Sequence, residues 1–301
     1  MTDQSEWYLP EWGQLPAEQY LIRSWDPVSP ESAEEQRSRL IQQFLQLDEI
    51  DPEWDPTTSG TFPERRPSHI PTPEEIATVL RPWRSDDLRM RAWEIWRNKN
   101  SNPVLVRTYY DPQDDQRAET WETMSEEYEP CAYWSFLNDK ELFNFGFGGF
   151  FKNYSRRPTA GDLTSHFQDF KQVLPAVKRR NRLAWKQDPS ILISDNFNAV
   201  LMLHIVSCAY LLVADKVAFE TDQFLLVYLD SRLNTVMQGR IDINGVRLSQ
   251  ALVDWEMAEL PAEVFGEGTL GEKYLYSGEI GRELYQWTRE DLEDNPPSEE
   301  T

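Results

Sequence analysis

Residues 209–243 read AYLLVADKVAFETDQFLLVYLDSRLNTVMQGRIDI, and they indicate the class of fold. Three apolar, β-rich segments occur in this stretch, at 209–213, 224–229 and 236–243. Asp215 follows the first segment and Asp230 the second, and aspartate commonly begins the turn that ends a strand. We therefore predict three strands of one sheet here.

The sequence around this stretch adds further elements. Residues 104–110 and 132–137 have the composition of short strands. Helices are predicted between and after the strands, at 114–128, 162–170, 176–186, 195–206 and 247–259. The pattern predicts an α/β or α+β fold, in which a small mixed sheet is flanked by helices.

A helical, proline-rich region precedes this sheet. Residues 1–28 alternate acidic and aromatic side chains, which is typical of an arm packed on the body or of a docking peptide. Residues 29–100 are predicted to be helical from Ser29, at 74–80 and from Ser85, with a proline-rich linker at 51–73. A boundary at 100–103 opens an α/β domain at 104–287, with an inserted basic segment at 144–196 and an acidic, disordered tail at 288–301.

Charge is distributed unevenly along the chain. The net charge is −22, and residues 1–60 hold 13 acidic and 3 basic side chains, while residues 254–301 hold 14 and 3. Residues 152–186 instead hold nine basic and two acidic side chains. We expect this basic segment to bind an anion or an acidic partner through Lys178, Arg179, Arg180 and Arg182, or to be a solvated face that the acidic tail covers.

Composition narrows the class of protein. With 40% hydrophobic and 13% aromatic residues, the chain can bury a sizeable core. The largely apolar stretch of 15 residues from 199 to 213, which includes His204, falls short of the roughly 20 that a membrane span needs, and no secretory signal is visible, so we expect a cytoplasmic protein. Net acidity argues against a nucleic-acid partner, because phosphates repel the chain.

Several segments resemble a family of small uncharacterised α/β domains found in actinobacteria and fungi. The resemblance is carried by Leu105-Val106-Arg107-Thr108 with Trp121, by the stretches 210–215 and 225–230, each ending in aspartate, and by Arg240-Ile241-Asp242. It covers scattered parts of 104–259 and leaves residues 144–196 as an insertion. Because the family has no assigned activity, the resemblance implies an architecture and no reaction.

Aspartates at predicted strand ends form the sharpest candidate site. Asp111, Asp139, Asp215 and Asp230 each close a predicted strand. If the strands are parallel, Asp139, Asp215 and Asp230 converge at one edge, where they could hold Mg²⁺ while Arg107 or Tyr228 orients a phosphate or carboxylate. The alternative is that each aspartate begins a turn or caps the next helix, and antiparallel strands would separate the ends. No histidine pair has the spacing of a zinc site, so no other metal is predicted.

Two functional hypotheses follow from these features. The first is a non-catalytic interaction or regulatory protein, which contacts a protein partner through Trp7, Trp12 and Trp25 of the arm or through the glycine-rich loop between Phe145 and Phe151. The second is a small-molecule-binding protein or enzyme that uses the strand-end carboxylates in an aromatic-lined pocket. The lack of a recognisable catalytic motif in the sequence favours the first hypothesis.

Overall fold

The structure is a computed structural model of the 301-residue chain. It describes residues 9–47, 50–51, 54, 69–97, 104–127, 135–150, 170–188, 190, 198, 206–207, 209–230, 232–243, 248–252 and 268–285. Most of the predicted linker at 51–73, the predicted helix at 195–206 and the whole of the predicted tail at 288–301 lie outside these residues.

Six strands of the described chain form one mixed sheet, which confirms the predicted class of fold. They are β1 (Val104–Arg107), β2 (Ser135–Leu137), β3 (Ala209–Ala214), β4 (Gln223–Leu229), β5 (Thr235–Asp242) and β6 (Thr269–Leu270), in the order β2-β1-β3-β4-β5-β6. Strands β1 and β2 are parallel, with Leu105 opposite Phe136. Strands β3 to β6 pair antiparallel with one another.

Along the chain, the described helices lie before, between and after the strands. The first four of them precede β1. The described helices are α1 (Pro16–Ser24), α2 (Ala33–Gln46), α3 (Pro73–Glu75) with a π-helical turn at Ile76–Leu80, α4 (Asp86–Arg97), α5 (Asp115–Glu127), α6 (Lys140–Phe143), α7 (Phe170–Gln187), α8 (Lys216–Thr221) and α9 (Glu279–Tyr285). Two 3-10 turns, Pro112–Asp114 and Glu272–Tyr274, and a helical segment at 248–252 complete the described elements. The predicted helical N-terminal region is therefore confirmed.

Contacts divide the chain into two compact units. Unit 1 comprises Met1–Glu127, Tyr133–Arg156 and Ala214–Lys216, and unit 2 comprises Tyr128–Ala132, Arg157–Val213 and Val217–Thr301. Strands β1 and β2 thus fold together with the N-terminal helices, although the sequence predicts a boundary at 100–103. Arg91 of α4 explains this grouping, because it pairs with Glu122 of α5 and donates a hydrogen bond to the carbonyl oxygen of Phe136 in β2 at 2.9 Å.

Helix α2 begins three residues later than predicted. Its N-cap is Ser32, whereas the sequence predicts a start at Ser29. The Ser32 hydroxyl accepts a hydrogen bond from the Glu35 amide at 3.2 Å, and the Glu35 carboxylate accepts one from the Ser32 amide at 2.9 Å. This reciprocal capping box satisfies two amides that the first turn would otherwise leave unpaired. The Ser32 hydroxyl also donates a hydrogen bond to the Glu35 carboxylate at 2.8 Å, and this bond, together with that from the Ser32 amide, holds the pKa of Glu35 below its ordinary value.

A buried arginine holds the segment that the sequence presents as an aromatic arm. Arg89 of α4 pairs with Glu18 of α1 at 2.5 Å between Nε and Oε1, and it donates a hydrogen bond to the carbonyl oxygen of Pro10 at 2.9 Å. Its guanidinium lies 3.6 Å from the ring centre of Trp12, and the second Glu18 oxygen accepts a hydrogen bond from the Gly13 amide at 2.7 Å. Pro10, Gly13 and Glu18 are buried and therefore belong to the core of unit 1, with Trp12 half-buried beside them.

Unit 2 is organised around the hairpins of β3, β4 and β5. Leu211 faces Val227 across the β3–β4 pair, and the apolar side chains of β4 and β5 are buried on the sheet except for the half-buried Leu225. Helix α7 runs without interruption through Pro175 and includes the helix predicted at 176–186, whereas most of the helix predicted at 162–170 lies outside the described residues. Helix α9 packs against α7 within this unit.

None of the helices in the described ranges combines the length and the apolar character needed to cross a membrane.

Candidate functional site

The carboxyl ends of three strands meet at one edge within unit 1. Because β1 and β2 are parallel, the residues that follow Arg107 and Leu137 lie at the same end of the pair. The Thr108 amide also donates a hydrogen bond to the carbonyl oxygen of Ala214 at 3.0 Å, which places the end of β3 beside the end of β1. The structure thus brings three of the predicted strand ends, those before Asp111, Asp139 and Asp215, to a common edge.

Asp139 is the most deeply buried of these aspartates, and its carboxylate is already engaged. It is the N-cap of α6, where it accepts a hydrogen bond from the Leu142 amide, and it forms an ion pair with Arg84. The Arg84 side chain has no exposed surface, and the Asp139 side chain is 2% exposed. Because Arg84 and the Leu142 amide already engage this buried carboxylate, it is not open to a ligand from solvent.

Arg107 points its guanidinium into the connection that follows its own strand. Its Nε donates a hydrogen bond to the Tyr109 carbonyl oxygen at 2.8 Å, and its Nη2 pairs with Asp115 at 2.7 Å. Asp111, which follows, accepts a hydrogen bond from the Gln113 amide at 3.0 Å and caps the 3-10 turn. These contacts fix the entry into α5, which is the capping role that the sequence leaves open as the alternative.

Tyr110 lies between the charges of Arg107 and Asp139. Its hydroxyl donates a hydrogen bond to the Arg107 carbonyl oxygen at 2.7 Å, and the Arg107 guanidinium lies 4.8 Å from the ring centre. Burial raises the pKa of Tyr110 far above its ordinary value, and the charge of Asp139 adds to the effect while Arg107 opposes it. Tyr110 therefore stays protonated at neutral pH and acts as a hydrogen-bond donor.

Asp230 lies in unit 2, at the end of a strand that runs the other way. Strands β3 and β4 are antiparallel, with Ala209 opposite Leu229, so the carboxyl end of β4 lies beside the start of β3. The structure therefore does not bring Asp230 to the edge at which β3 ends. The cluster of three carboxylates that parallel strands would form is not assembled.

Four hydrogen bonds occupy the Asp230 carboxylate. Oδ1 accepts from the backbone amides of Arg232 and Asn234, both at 2.8 Å, and Oδ2 accepts from the Asn234 side-chain amide at 2.9 Å and from the Tyr274 hydroxyl at 2.7 Å. The residue is 5% exposed. Since these donors take both oxygens, Asp230 organises the β4–β5 turn and ties it to Tyr274.

The other predicted site residues of unit 2 have different surroundings. Tyr228 is buried in β4, with its ring centre 6.1 Å from that of Tyr210. Among the described residues, no group of three histidine, cysteine, aspartate or glutamate side chains is arranged to hold a metal ion. The Mg²⁺ site thus stays a prediction, because the described residues contain no set of ligands that matches it.

Helix α7 presents basic side chains to solvent. Arg179 and Lys186 are exposed, whereas Lys178 and Arg182 are half-buried, and we name these four residues the basic stripe. Positions 178, 182 and 186 are four residues apart, so they follow one another along one side of the helix, and 179 lies seven residues from 186. Within the described chain, Lys178, Arg179 and Lys186 have no ion-pair partner. The side chain of Arg180 lies outside the description.

The aromatic segments proposed for partner binding are distributed between core and surface. Trp12 is stacked on Arg89, Trp25 is half-buried after α1, and Trp7 lies outside the described residues. In the glycine-rich loop, Phe150 is buried and Phe145 is 65% exposed, while Phe151 is outside the description. The loop therefore both fills the core and presents one ring to solvent.

Sequence reasoning missed the buried ion pairs. Arg84, Arg89 and Glu18 belong to the core of unit 1, and the apolar pattern around the two arginines gives no sign of a buried charge. One signal was present for Glu18, because it falls between Leu15 and Leu21 on the side of α1 that is buried. A charged residue at such a position needs an opposite charge elsewhere in the chain.

The comparisons with known proteins give no relative to consult. No family model, no curated protein and no solved structure matches the chain. The resemblance to the actinobacterial and fungal α/β domains is therefore still a prediction.

Proposed function

We propose that this chain is a non-catalytic interaction protein that binds an acidic polypeptide segment through the basic stripe of α7. One observation carries the proposal: the stripe presents cationic side chains to solvent on a chain whose net charge is −22. The charged groups of an interface are arranged so that each faces the opposite charge on the partner. This arrangement favours the intended partner and disfavours others. The basic stripe lies on an otherwise acidic molecule. It therefore favours a partner whose negative charge is concentrated in a short segment.

The spacing of the stripe supports an extended acidic segment as the partner. From Lys178 to Lys186 the helix rises about 12 Å at 1.5 Å per residue. An extended chain covers that length in about four residues at 3.3–3.6 Å each. A run of three or four acidic residues therefore matches the stripe in length. A long nucleic acid would extend far past the stripe and meet the repulsion of the acidic chain.

The carboxyl edge of β1, β2 and β3 gives less support to a small-molecule function. Asp139 and Arg107 are the polar residues best placed there, and the hydrogen bonds of both serve the fold. Kinship with the actinobacterial and fungal α/β domains and a cytoplasmic location belong to the same proposal. The low count of two cysteines supports the location, since reducing compartments favour chains that do without disulfides.

The test is binding of a fluorescein-labelled peptide of twelve glutamates, followed by fluorescence anisotropy at low ionic strength. The variant Lys178→Gln, Arg179→Gln, Lys186→Gln should bind about 10-fold more weakly, because it loses three exposed ion pairs that contribute about 0.5 kcal/mol each. The matched control carries Arg81→Gln, Lys140→Gln and Lys273→Gln, three exposed basic residues that do not belong to α7, and has the same net charge.

Two results would count against the proposal. If the control loses as much affinity as the stripe variant, net charge alone governs binding and the stripe has no special role. If the wild-type chain fails to bind the peptide at 20 mM salt, where screening is weak, the stripe does not bind acidic segments.

A further inference from the structure

We propose that the acidic C-terminal segment of this chain, residues 286–301, occupies the basic stripe and competes with the acidic partner. This inference rests on the proposed function, because it names the regulation of the same surface. The segment carries six acidic residues and one basic residue, and four of the acids, Glu290, Asp291, Glu293 and Asp294, lie within five consecutive positions. Its charge is opposite to that of the stripe and concentrated over a matching length.

The starting point of the segment places it close to α7. The described part of helix α9 extends to Tyr285 and packs against α7 within unit 2, so the acidic segment is attached in sequence to a helix that already contacts the basic one. Residues 286–294 can extend about 30 Å at 3.3–3.6 Å per residue. The whole of α7, with 18 residues at 1.5 Å each, is about 27 Å long. Residues 286–294 can thus extend about as far as the whole of α7 is long, which allows the clustered acids to lie along the stripe.

The acidic segment is tethered to the stripe because both belong to one chain, so even a weak contact keeps the stripe occupied most of the time. A short flexible connection gives an effective concentration on the order of 1 mM, so a contact with a dissociation constant of about 0.3 mM would be formed about three-quarters of the time. The stripe would then be open about one-quarter of the time. An acidic partner that binds more tightly displaces the segment, whereas weaker acidic molecules are excluded.

Lysine acetylation tests this occupancy without any partner. The intact chain and a full-length variant with Glu290→Gln, Asp291→Asn, Glu293→Gln and Asp294→Asn are treated with an N-hydroxysuccinimide acetate, and the rate at each lysine is read by mass spectrometry. Lys178 and Lys186 should react about 4-fold faster in the variant, because release raises the open fraction from about one-quarter to nearly one. Lys140, an exposed lysine of unit 1, is the internal reference and should not change.

A second variant controls for net charge. It replaces four exposed glutamates of unit 1 by glutamine, at Glu11, Glu34, Glu74 and Glu119, and should leave the rates at Lys178 and Lys186 unchanged. Equal rates at these two lysines in the wild-type chain and in the C-terminal variant would overturn the inference. A rate difference that disappears on 10-fold dilution of the protein would also overturn it, because the occupant would then be a second copy.

The peptide assay separates this inference from the proposed function. If the C-terminal variant binds the twelve-glutamate peptide more tightly than the wild-type chain, and the charge control does not, both stand. If both chains bind the peptide equally and the stripe variant does not, the proposed function stands and the inference fails. If acetylation shows release but no chain binds the peptide, the inference stands, and the stripe is an internal docking site only.

Discussion

Replacing Glu18 by glutamine should destabilise unit 1 more than any surface charge change. Glu18 and Arg89 form an ion pair at 2.5 Å in which neither side chain has exposed surface. Glutamine keeps the size of the side chain and can still accept the hydrogen bond from the Gly13 amide. The change therefore removes the negative charge and leaves the packing in place.

The magnitude follows from the burial of the remaining partner. Arg89 keeps its hydrogen bond to the Pro10 carbonyl oxygen, its stacking on Trp12 and a 3.9 Å contact with the exposed Asp86, but its positive charge loses the buried carboxylate that compensates it. Leaving one partner of a buried pair uncompensated costs about 3–5 kcal/mol in the free energy of unfolding. That loss is a large part of the about 5–15 kcal/mol by which a typical protein is stable.

Urea unfolding followed by circular dichroism measures the change, and the chain offers a matched control. Glu31→Gln breaks the Glu31–Arg39 pair, which has a similar length of 2.8 Å but is exposed by 35% and 41% at its two side chains. Solvent already screens this pair, so the control should move the unfolding curve very little. The two variants change the same residue type in the same unit and differ in burial.

A loss for Glu18→Gln as small as that for Glu31→Gln would refute the reasoning, because it would mean that burial does not set the strength of the pair. A double variant adds a further check. Glu18→Gln with Arg89→Met removes both charges, so it should be less destabilised than the sum of the two single variants. Additive losses would show that the two residues act independently.

Two further substitutions have expected outcomes in the same unfolding assay. A Cβ atom at Gly281 would lie 1.8 Å from the carbonyl oxygen of Leu275, so Gly281→Ala should cost about 1–3 kcal/mol, whereas Gly148→Ala, with open space around the glycine, should be nearly neutral. Asp230→Ala leaves four donors without their acceptor and should cost at least about 2 kcal/mol. An unchanged stability would show that Asp230 is not the organiser of its turn.

The sequence identified the strands of unit 2 closely, because their apolar runs are bounded by polar turn residues. The segments predicted at 209–213, 224–229 and 236–243 are Ala209–Ala214, Gln223–Leu229 and Thr235–Asp242 in the structure. Helix ends were less well placed. Proline after Ser29 suggested a start there, but the cap is Ser32, whose partner Glu35 supplies the second half of the capping box.

Long-range charge pairing was beyond sequence reasoning. The Arg84–Asp139 pair joins residues 55 positions apart, and the Arg89–Glu18 pair joins residues 71 positions apart. Nothing in the local pattern selects one arginine among the many as the partner of a given carboxylate. The aspartates at strand ends were correctly located along the chain, but the contacts that occupy them come from these distant segments and from the following turns.

Connection lengths, by contrast, contain more information about the candidate site than the aspartates themselves. Parallel neighbours need a crossover of a dozen or more residues, whereas antiparallel neighbours can be joined by a short turn. Only eight residues separate β3 from β4, but 27 separate β1 from β2. The first spacing is too short for a crossover, so β3 and β4 must be antiparallel if they are neighbours, and Asp230 cannot then join Asp215. The second spacing accommodates α5 and permits the parallel pair. The two connection lengths therefore allow Asp139 to lie at the carboxyl edge and exclude Asp230 from it.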